Sequence, residues 1–340
     1  MATTGTTPEP LGAPITLRKE TNLWRDAFSR LVRNKAAVTG GILLLGLFVV
    51  YIFAPVIALR SYEVQISKDN AAMPEWLVVL FPMTQGYARI NNAYPLGADD
   101  LGRDVFSRVV YGTRISLTVA MVGPLIALLI GTTYGSFAGF FGGKLDNILM
   151  RFVDVMYAFP TLLLIILMMA FFRSSFAGIP EPGSLKYVMN QLDTRVGGLL
   201  FIFIGIGITS WMGMARLTRG QVLSLREKEF VEAARSIGAS NLRIMFRHIL
   251  PNAIGPLIVA ETLAIPGYIS YEAFLSFIGL GVNPPTPSWG MMIADGARVI
   301  RTYPHLALIP GLALAITMFA FNFLGDGLRD ALDPRMRGAS

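Results

Sequence analysis

The sequence predicts an all-α, polytopic membrane protein with six transmembrane helices. Of its 340 residues 53% are hydrophobic and only 15% are charged, and the mean hydropathy is +0.55, a composition typical of membrane proteins. The apolar residues form six long stretches without the alternation that a membrane β-strand requires. Helices are therefore the predicted spanning structure, because a helix satisfies its backbone hydrogen bonds internally.

Each apolar stretch is close to the roughly 20 residues that a helix needs to cross about 30 Å of hydrocarbon. We place the spans at residues 36–59, 115–141, 152–172, 197–214, 253–275 and 306–324. The ends of the third and fourth spans are the least sharply marked. With their connecting loops the six spans make one transmembrane domain over residues 36–340.

Two segments precede the first span. Residues 1–21 are rich in Thr, Pro and Gly and are predicted to be a disordered tail. Residues 22–35 place Leu23, Trp24 and Phe28 along one side of a helix whose arginines lie largely elsewhere. This pattern predicts an amphipathic interfacial helix that binds anionic membrane lipid. A short solvated helix is the alternative.

The distribution of Lys and Arg predicts the orientation. With both termini in the cytosol, the cytosolic segments hold 18 of these residues and the short outer loops hold 5. The long outer loop, residues 60–114, weighs little in this rule. The N-terminus and the C-terminus are therefore predicted to be cytosolic, as is the polar loop over residues 215–252.

This cytosolic loop contains two short amphipathic patterns on either side of a glycine. The first has the spacing i, i+3, i+4, i+7 in Phe230, Ala233, Ala234 and Ile237. The second has the same spacing in Leu242, Met245, Phe246 and Ile249. Gly238 stands where a helix end needs left-handed backbone angles, and Pro251 is predicted to limit the second helix. Neither helix has an obvious partner within the loop, so the loop is a candidate docking element for another protein.

Part of this loop resembles the E-A-A-x3-G-x9-I-x-L-P motif of ABC importer permease subunits. The matching residues are Glu232, Ala233, Ala234, Gly238, Leu250 and Pro251, and the departure is His248 at the position of the family's Ile. In that family the loop is the coupling helix, which fits a groove on the ATP-hydrolysing subunit. The resemblance implies the same role here for these residues, with Phe230 and Ile237 on the same helix.

Three further strings resemble the dipeptide and oligopeptide branch of that family. They are P-L-G-A-D-D-L-G-R-D at 95–104, L-S-F-I-G-L-G-V-N-P-P-T-P-S-W-G at 275–290 and F-N-F-L-G-D-G-L-R-D-A-L-D-P-R at 321–335. The resemblance thus extends from about residue 20 to residue 337. It implies the type I ABC importer transmembrane-domain fold in the cytoplasmic (inner) membrane.

The resemblance also implies partners and a substrate class. The partners are a second, related permease chain, two ATPase subunits that hold ATP and Mg, and an extracytoplasmic substrate-binding protein. No cofactor is expected on this chain itself. Dipeptides and oligopeptides are the expected substrates, with nickel complexes, glutathione or another small solute as alternatives.

The outer segment before residue 290 is rich in proline. Pro284, Pro285 and Pro287 cannot continue a helix, and Trp289 is suited to a membrane–water interface. One interpretation is a rigid outer loop that dips back into the protein. The other is an outer gate or a contact surface for the binding protein.

Two carboxylates lie inside the fifth predicted span. Glu261 and Glu272 are eleven residues apart, which places them on one helix face. A charge at this depth is costly, so such residues face a bundle interior, a cavity or a paired group. Either residue is a candidate for the translocation path, and hydrogen bonding to neighbouring helices is the alternative, favoured for Glu272.

The sequence also argues against several functions. It has no Cys, no G-x4-G-K-[ST] phosphate loop and no hydrolase or metalloprotease motif, so it is not expected to be an enzyme. No metal site is expected from Asp99, Asp100 and Asp104, which stand beside arginines, and no basic tract suggests nucleic acid. The rivals are a proton-coupled secondary transporter with Glu261 as its proton site, and a membrane scaffold.

Overall fold

The computed structural model describes residues 23–176 and 183–332, and most of these residues are helical. The predicted disordered tail, residues 1–21, lies outside the described residues. The helices are α1 (Leu23–Arg33), α2 (Lys35–Ile57), α3 (Glu75–Leu80), α4 (Val105–Ile126), α5 (Thr132–Phe141), α6 (Gly143–Tyr157), α7 (Thr161–Phe176), α8 (Leu185–Arg195), α9 (Leu200–Arg226), α10 (Glu229–Ser236), α11 (Asn241–Ile244), α12 (Leu250–Phe277), α13 (Trp289–Arg298) and α14 (His305–Leu332). Two π-helical turns, Ala127–Gly131 and Met245–Ile249, connect α4 to α5 and α11 to α12.

Five continuous helices are long and apolar enough to cross a membrane, and they correspond to five of the six predicted spans. They are Lys35–Ile57, Val105–Phe141, Leu200–Arg226, Asn241–Phe277 and His305–Leu332. The prediction of one continuous helix over residues 152–172 is wrong, because α6 and α7 meet at an angle of 80°. Pro160 directly precedes α7, and a proline disfavours helical geometry in the residue before it.

The bundle has two ends, which we call the α10 end and the α13 end. At the α10 end Arg226 Nη1 donates to the carbonyl oxygens of Gly139 and Phe140 at 3.2 and 3.1 Å, which joins α9 to α5. At the α13 end the ring of Phe176, the last residue of α7, stacks on Phe201 at the start of α9, with ring centroids 5.6 Å apart. The bent pair α6–α7 therefore leads the chain from the α10 end to the α13 end and completes six passages.

Small residues let α5 and α9 approach closely. Gly131, Gly135 and Gly139 recur at every fourth residue along the contact. A Cβ at Gly135 would lie 2.2 Å from the carbonyl oxygen of Ala215, and one at Gly131 would lie 2.6 Å from that of Trp211. Repeats of small residues at this spacing are typical of tightly packed helices in membranes.

The amphipathic helix predicted over residues 22–35 is α1. Ala27 is buried, and Leu31 contacts the C-terminal part of α14, where a Cβ at Gly327 would lie 3.3 Å from Leu31 Cδ1. Phe28 and Val32 are exposed. One side of α1 thus packs on the bundle, and binding of its exposed side to lipid stays a prediction.

The connection between α2 and α4 lies at the α13 end and is shorter than the predicted loop 60–114. It contains α3 and two parallel two-residue strands, β1 (Ala72–Met73) and β2 (Arg89–Ile90). The second span begins at Val105 rather than Ile115, because the Asp104 side chain caps α4 by accepting from the Ser107 backbone at 2.9 Å. The loop therefore covers residues 58–104.

Candidate functional site

The α10 end presents an exposed apolar surface, which we call the α10 surface. It consists of Phe230, Ile237, Leu242 and Phe246, which are 39%, 84%, 52% and 46% exposed. Gly238 has a φ of 78°, and the backbone amides of Gly238 and Ala239 donate to Arg235 and Ala234 at 2.9 and 3.0 Å. This helix end has the geometry that the sequence predicted, with left-handed angles at the glycine.

The α10 helix is fastened to its own bundle by its other side. Val231 and Ala234 are buried in a cluster with Phe140 of α5, Val222 of α9 and Ile244 of α11. The expectation that the loop helices have no partner within the loop is therefore wrong, because Val222 and Ile244 also lie in the predicted loop, residues 215–252. The small side chain of Ala234 makes room for the chain's own core, whereas Glu232 and Ala233 are exposed.

The second predicted helix of the loop is not a separate element. The helix that begins at Asn241 continues through the π-helical turn Met245–Ile249 and past Pro251 to Phe277. Pro251 stands in the first turn of α12, where its missing N–H costs little because the wider π turn has already displaced the hydrogen bonds. The prediction that Pro251 limits a short helix is wrong, and the loop proper is residues 227–240. Leu250 follows the π turn and is partly buried.

Glu261 lines a partly open cavity of the bundle. Its side chain is on α12, the residue is 5% exposed, and its Oε2 accepts a hydrogen bond from the Tyr268 hydroxyl at 3.1 Å. The cavity has a volume of about 340 Å³. Its walls include Tyr157 and Thr161 on either side of the α6–α7 bend.

Glu272 lies outside this cavity and is fully buried. Its Oε1 accepts from the Ser276 hydroxyl at 2.7 Å and its Oε2 from the Ser116 hydroxyl at 3.4 Å. The carboxylate thus joins α12 to α4. Of the two interpretations, hydrogen bonding to a neighbouring helix describes Glu272, whereas Glu261 lines the cavity described above.

The proline-rich segment at the α13 end is anchored by Trp289. The indole is fully buried, and its Nε1 donates to the Val109 carbonyl oxygen at 3.0 Å. A Cβ at Gly112 would lie 2.8 Å from the Trp289 ring. Trp289 thus packs inside the protein, which favours the interpretation of a loop that dips into the protein. Pro284 and Pro285 are exposed, whereas Pro287 is buried.

A charged network beside this segment includes residues that the sequence predicted and residues that it missed. Asp99 pairs with Arg103 at 2.6 Å and with buried Arg108 at 3.5 Å, as the sequence suggested. Asp295 and Arg298 of α13 were missed, although they stand three residues apart just after the proline segment. Burial and then the negative charge of Asp100 raise the pKa of Asp295. Of these side chains, those of Asp100, Arg103, Asp295 and Arg298 line a cavity of about 500 Å³ that also includes Pro284.

Comparison with known proteins identifies similar chains over nearly the whole length. Residues 131–338 match the family of binding-protein-dependent transport system inner membrane components. Residues 22–74 match the N-terminal transmembrane domain of oligopeptide transport permease C.

Individual relatives give the same result. The oligopeptide transport system permease protein OppC of Bacillus subtilis is 39% identical over 94% of this chain and 92% of the relative. The dipeptide permease DppC of the same organism is 39% identical over 92% of this chain and 86% of the relative. The glutathione transport system permease GsiD of Pectobacterium atrosepticum is 36% identical over 92% of each.

A solved structure shares the fold. The inward-facing methionine ABC transporter MetNI contains a chain with a TM-score of 0.52 and 20% identity, over 66% of this chain and 97% of that one. The chain thus has the fold of a type I importer permease, as the sequence resemblance implied.

Proposed function

This chain belongs to the family of binding-protein-dependent transport system inner membrane components, and we infer that it is a permease subunit of an ATP-driven peptide importer. In this role it forms part of the translocation path for dipeptides or oligopeptides. It spans the inner membrane several times, with both termini in the cytosol. The relatives with peptide-permease names, at 36–39% identity over most of the chain, support the substrate class.

The α10 surface is the observation that carries the proposal. Four apolar side chains are exposed at one end of the bundle, on the two helices that flank Gly238. The buried contacts of Val231 and Ala234 hold this surface firmly on α5, α9 and α11. An exposed apolar surface on a rigid support is typical of a protein interface. We propose that it docks on an ATPase subunit.

The partners that this role requires follow from what the sequence lacks. Since the chain has no phosphate loop, ATP and Mg are held by two separate ATPase subunits. A second, related permease chain completes the path. A binding protein delivers the solute at the α13 end, where Pro284, Pro285 and the charged network of Asp295 and Arg298 are positioned to contact it.

Packing contacts and ion pairs connect the α10 surface to the membrane-spanning helices, so movement of this surface would move them. The cluster around Val231 joins α10 to α5, α9 and α11, and α11 continues into α12. Ion pairs join α9 to α6, where Arg219 Nη2 lies 2.6 Å from Asp146 Oδ2 and Arg216 Nη2 lies 2.6 Å from Asp154 Oδ1. Closure of the ATPase pair would thus turn α9 and α12 together and open the cavity at Glu261 to alternate sides.

Glutathione is a second candidate substrate, because GsiD is 36% identical to this chain. The family membership argues against a proton-coupled secondary transporter, whose energy would come from a proton gradient rather than from ATP.

The test is uptake into proteoliposomes that contain this chain, its partner permease and the ATPase pair. We expect uptake of radiolabelled trialanine to require ATP on the α10 side and the binding protein on the α13 side. Glutathione serves as the competing substrate. Uptake driven by a proton gradient in the absence of ATP would overturn the proposal.

A further inference from the structure

We propose that the cavity around Glu261 is a binding site for a primary ammonium group of the transported solute, with the Glu261 carboxylate as its counter-charge. The inference rests on the proposed function in one respect, since it takes the solute to be a peptide with a protonated amino terminus. It assigns to this chain a recognition role inside the membrane.

The Glu261 carboxylate has unmet hydrogen-bonding capacity. Glu261 is 5% exposed and receives one hydrogen bond from the described part of the chain, that of Tyr268. The cavity lining, as far as the structure describes it, contains no Lys and no Arg. A buried carboxylate without a cation is costly, and it accepts several further hydrogen bonds. An ammonium group supplies both a positive charge and three donors.

The walls of the cavity are aromatic and polar. Tyr157, Tyr268 and Tyr271 line the cavity with the carboxylate, and aromatic rings attract cations through their negative faces. Ser210 also lines it, and its buried Oγ has no hydrogen-bond partner in the described residues. Aromatic rings, a carboxylate and a free hydroxyl together favour a cationic, hydrogen-bonding ligand over an anionic or purely apolar one.

One cationic side chain of this protein, that of Arg216, lies near the cavity. Arg216 lies over the Tyr157 ring at 4.1 Å from its centroid and pairs with Asp154 at 2.6 Å. Its charge is therefore engaged at the edge of the cavity, and Glu261 is left for a mobile ligand. A volume of about 340 Å³ accommodates the first residue of a peptide and lies within the usual range of ligand pockets.

Glu272 provides the contrast within the same helix. It is fully buried, and two hydroxyl groups donate to its carboxylate. It lies outside the cavity lining. The Glu272→Gln variant is therefore the matched control for Glu261→Gln.

The natural absence of Cys allows a direct test in the full chain. In a Ser210→Cys variant we compare the labelling rates of a trimethylammonium-ethyl and a sulfonato-ethyl methanethiosulfonate. Because any thiolate reacts faster with the cationic reagent, the rate ratio is compared with that of an exposed Ser240→Cys variant. We expect it to be about tenfold higher at Ser210→Cys, since a nearby negative charge acts strongly at the effective dielectric of a partly buried site. Glu261→Gln should lower this ratio at least about fivefold, and Glu272→Gln should leave it unchanged.

Peptide protection identifies the ligand group. Trialanine should slow the labelling of Ser210→Cys, N-acetyl-trialanine should not, and Glu261→Gln should remove the difference. Equal protection by both peptides, protection by neither, or a rate ratio that is indifferent to Glu261→Gln would overturn the proposal. Failure of either reagent to label Ser210→Cys, while a Ser240→Cys control reacts, would overturn it as well.

These outcomes are separable from those of the proposed function. Labelling needs neither ATPase nor transport. If the cavity proved charge-selective but the chain showed no ATP-driven uptake, the ammonium site would stand and the importer function would be rejected. If trialanine uptake were ATP-driven but the cavity showed no charge selectivity, the importer function would stand and the ammonium site would be rejected.

Discussion

Truncation of Ile237 is the sharpest perturbation of the proposed ATPase contact. The side chain is 84% exposed in this chain, so its loss removes little from the fold. It lies at the end of α10, next to Gly238, where a docking partner would cover it. Ile237→Ala should therefore weaken ATPase binding and leave the stability of the permease unchanged.

The magnitude follows from the apolar area available for burial. The change from Ile to Ala removes three carbon atoms, each worth about 0.8 kcal/mol when buried. Because most of the side chain is exposed here, nearly all of this area can be buried by a partner. The expected loss is about 2 kcal/mol, which raises the Kd about 30-fold.

The assay is titration of the ATPase pair onto the two permease chains in nanodiscs, with thermal unfolding measured on the same samples. Val231→Ala is the matched control, because Val231 lies on the same helix but is fully buried in the bundle's own cluster. It should lower the free energy of unfolding by about 2 kcal/mol. A Kd for Ile237→Ala within about twofold of the wild type, where the burial estimate requires about 30-fold, would refute the reasoning.

Three further predictions test other parts of the structure. Gly135→Val should abolish stable insertion, because its Cβ would lie 2.2 Å from the Ala215 carbonyl oxygen, whereas Gly41→Ala, with nothing within 4 Å of the new Cβ, should be neutral in a fluorescence-based folding assay. Asp295 has a raised pKa, so its ionisation destabilises the fold as the pH rises from its ordinary value of 3.8 through the raised value; Asp295→Asn should increase thermal stability at neutral pH and flatten the pH profile of unfolding, and an unchanged profile would contradict this. Single cysteines at Ser240 and Arg301 should be labelled from opposite sides of the membrane by an impermeant thiol reagent, and labelling of both from one side in intact cells would contradict the orientation.

Much of the bundle could be predicted from the apolar stretches, because a membrane-spanning helix consists of consecutive, mostly apolar residues. The break between α6 and α7 was missed because residues 152–172 are apolar on both sides of Pro160. Hydropathy reports how apolar a segment is, but not whether its helix bends. The sequence indicated a short amphipathic helix at 105–111 leading into the second span, but the apolar span itself was placed from Ile115, because the first residues of α4 are mixed in polarity. They are helical through the Asp104 cap and buried contacts.

The candidate site divides in the same way. The turn at Gly238 could be predicted because a positive φ has a local signature in the sequence. The side of α10 that faces the bundle could not be predicted from the sequence, because both sides of the helix carry apolar residues. Only the tertiary contacts of Val231 and Ala234 distinguish the two sides. The burial of Trp289 likewise depends on Gly112, which is distant in the sequence and leaves space for the indole ring.

The measurement that tests the central claim most directly is crosslinking from the α10 surface in the assembled transporter. A single cysteine at Ile237, carrying a short photoreactive crosslinker, should attach to an ATPase subunit, and one at Arg301 at the α13 end should not. Attachment from Ile237 that also changes between the ATP-bound and ADP-bound states would match the proposed coupling. Absence of any ATPase adduct from Ile237, with adducts formed elsewhere on the chain, would contradict the account.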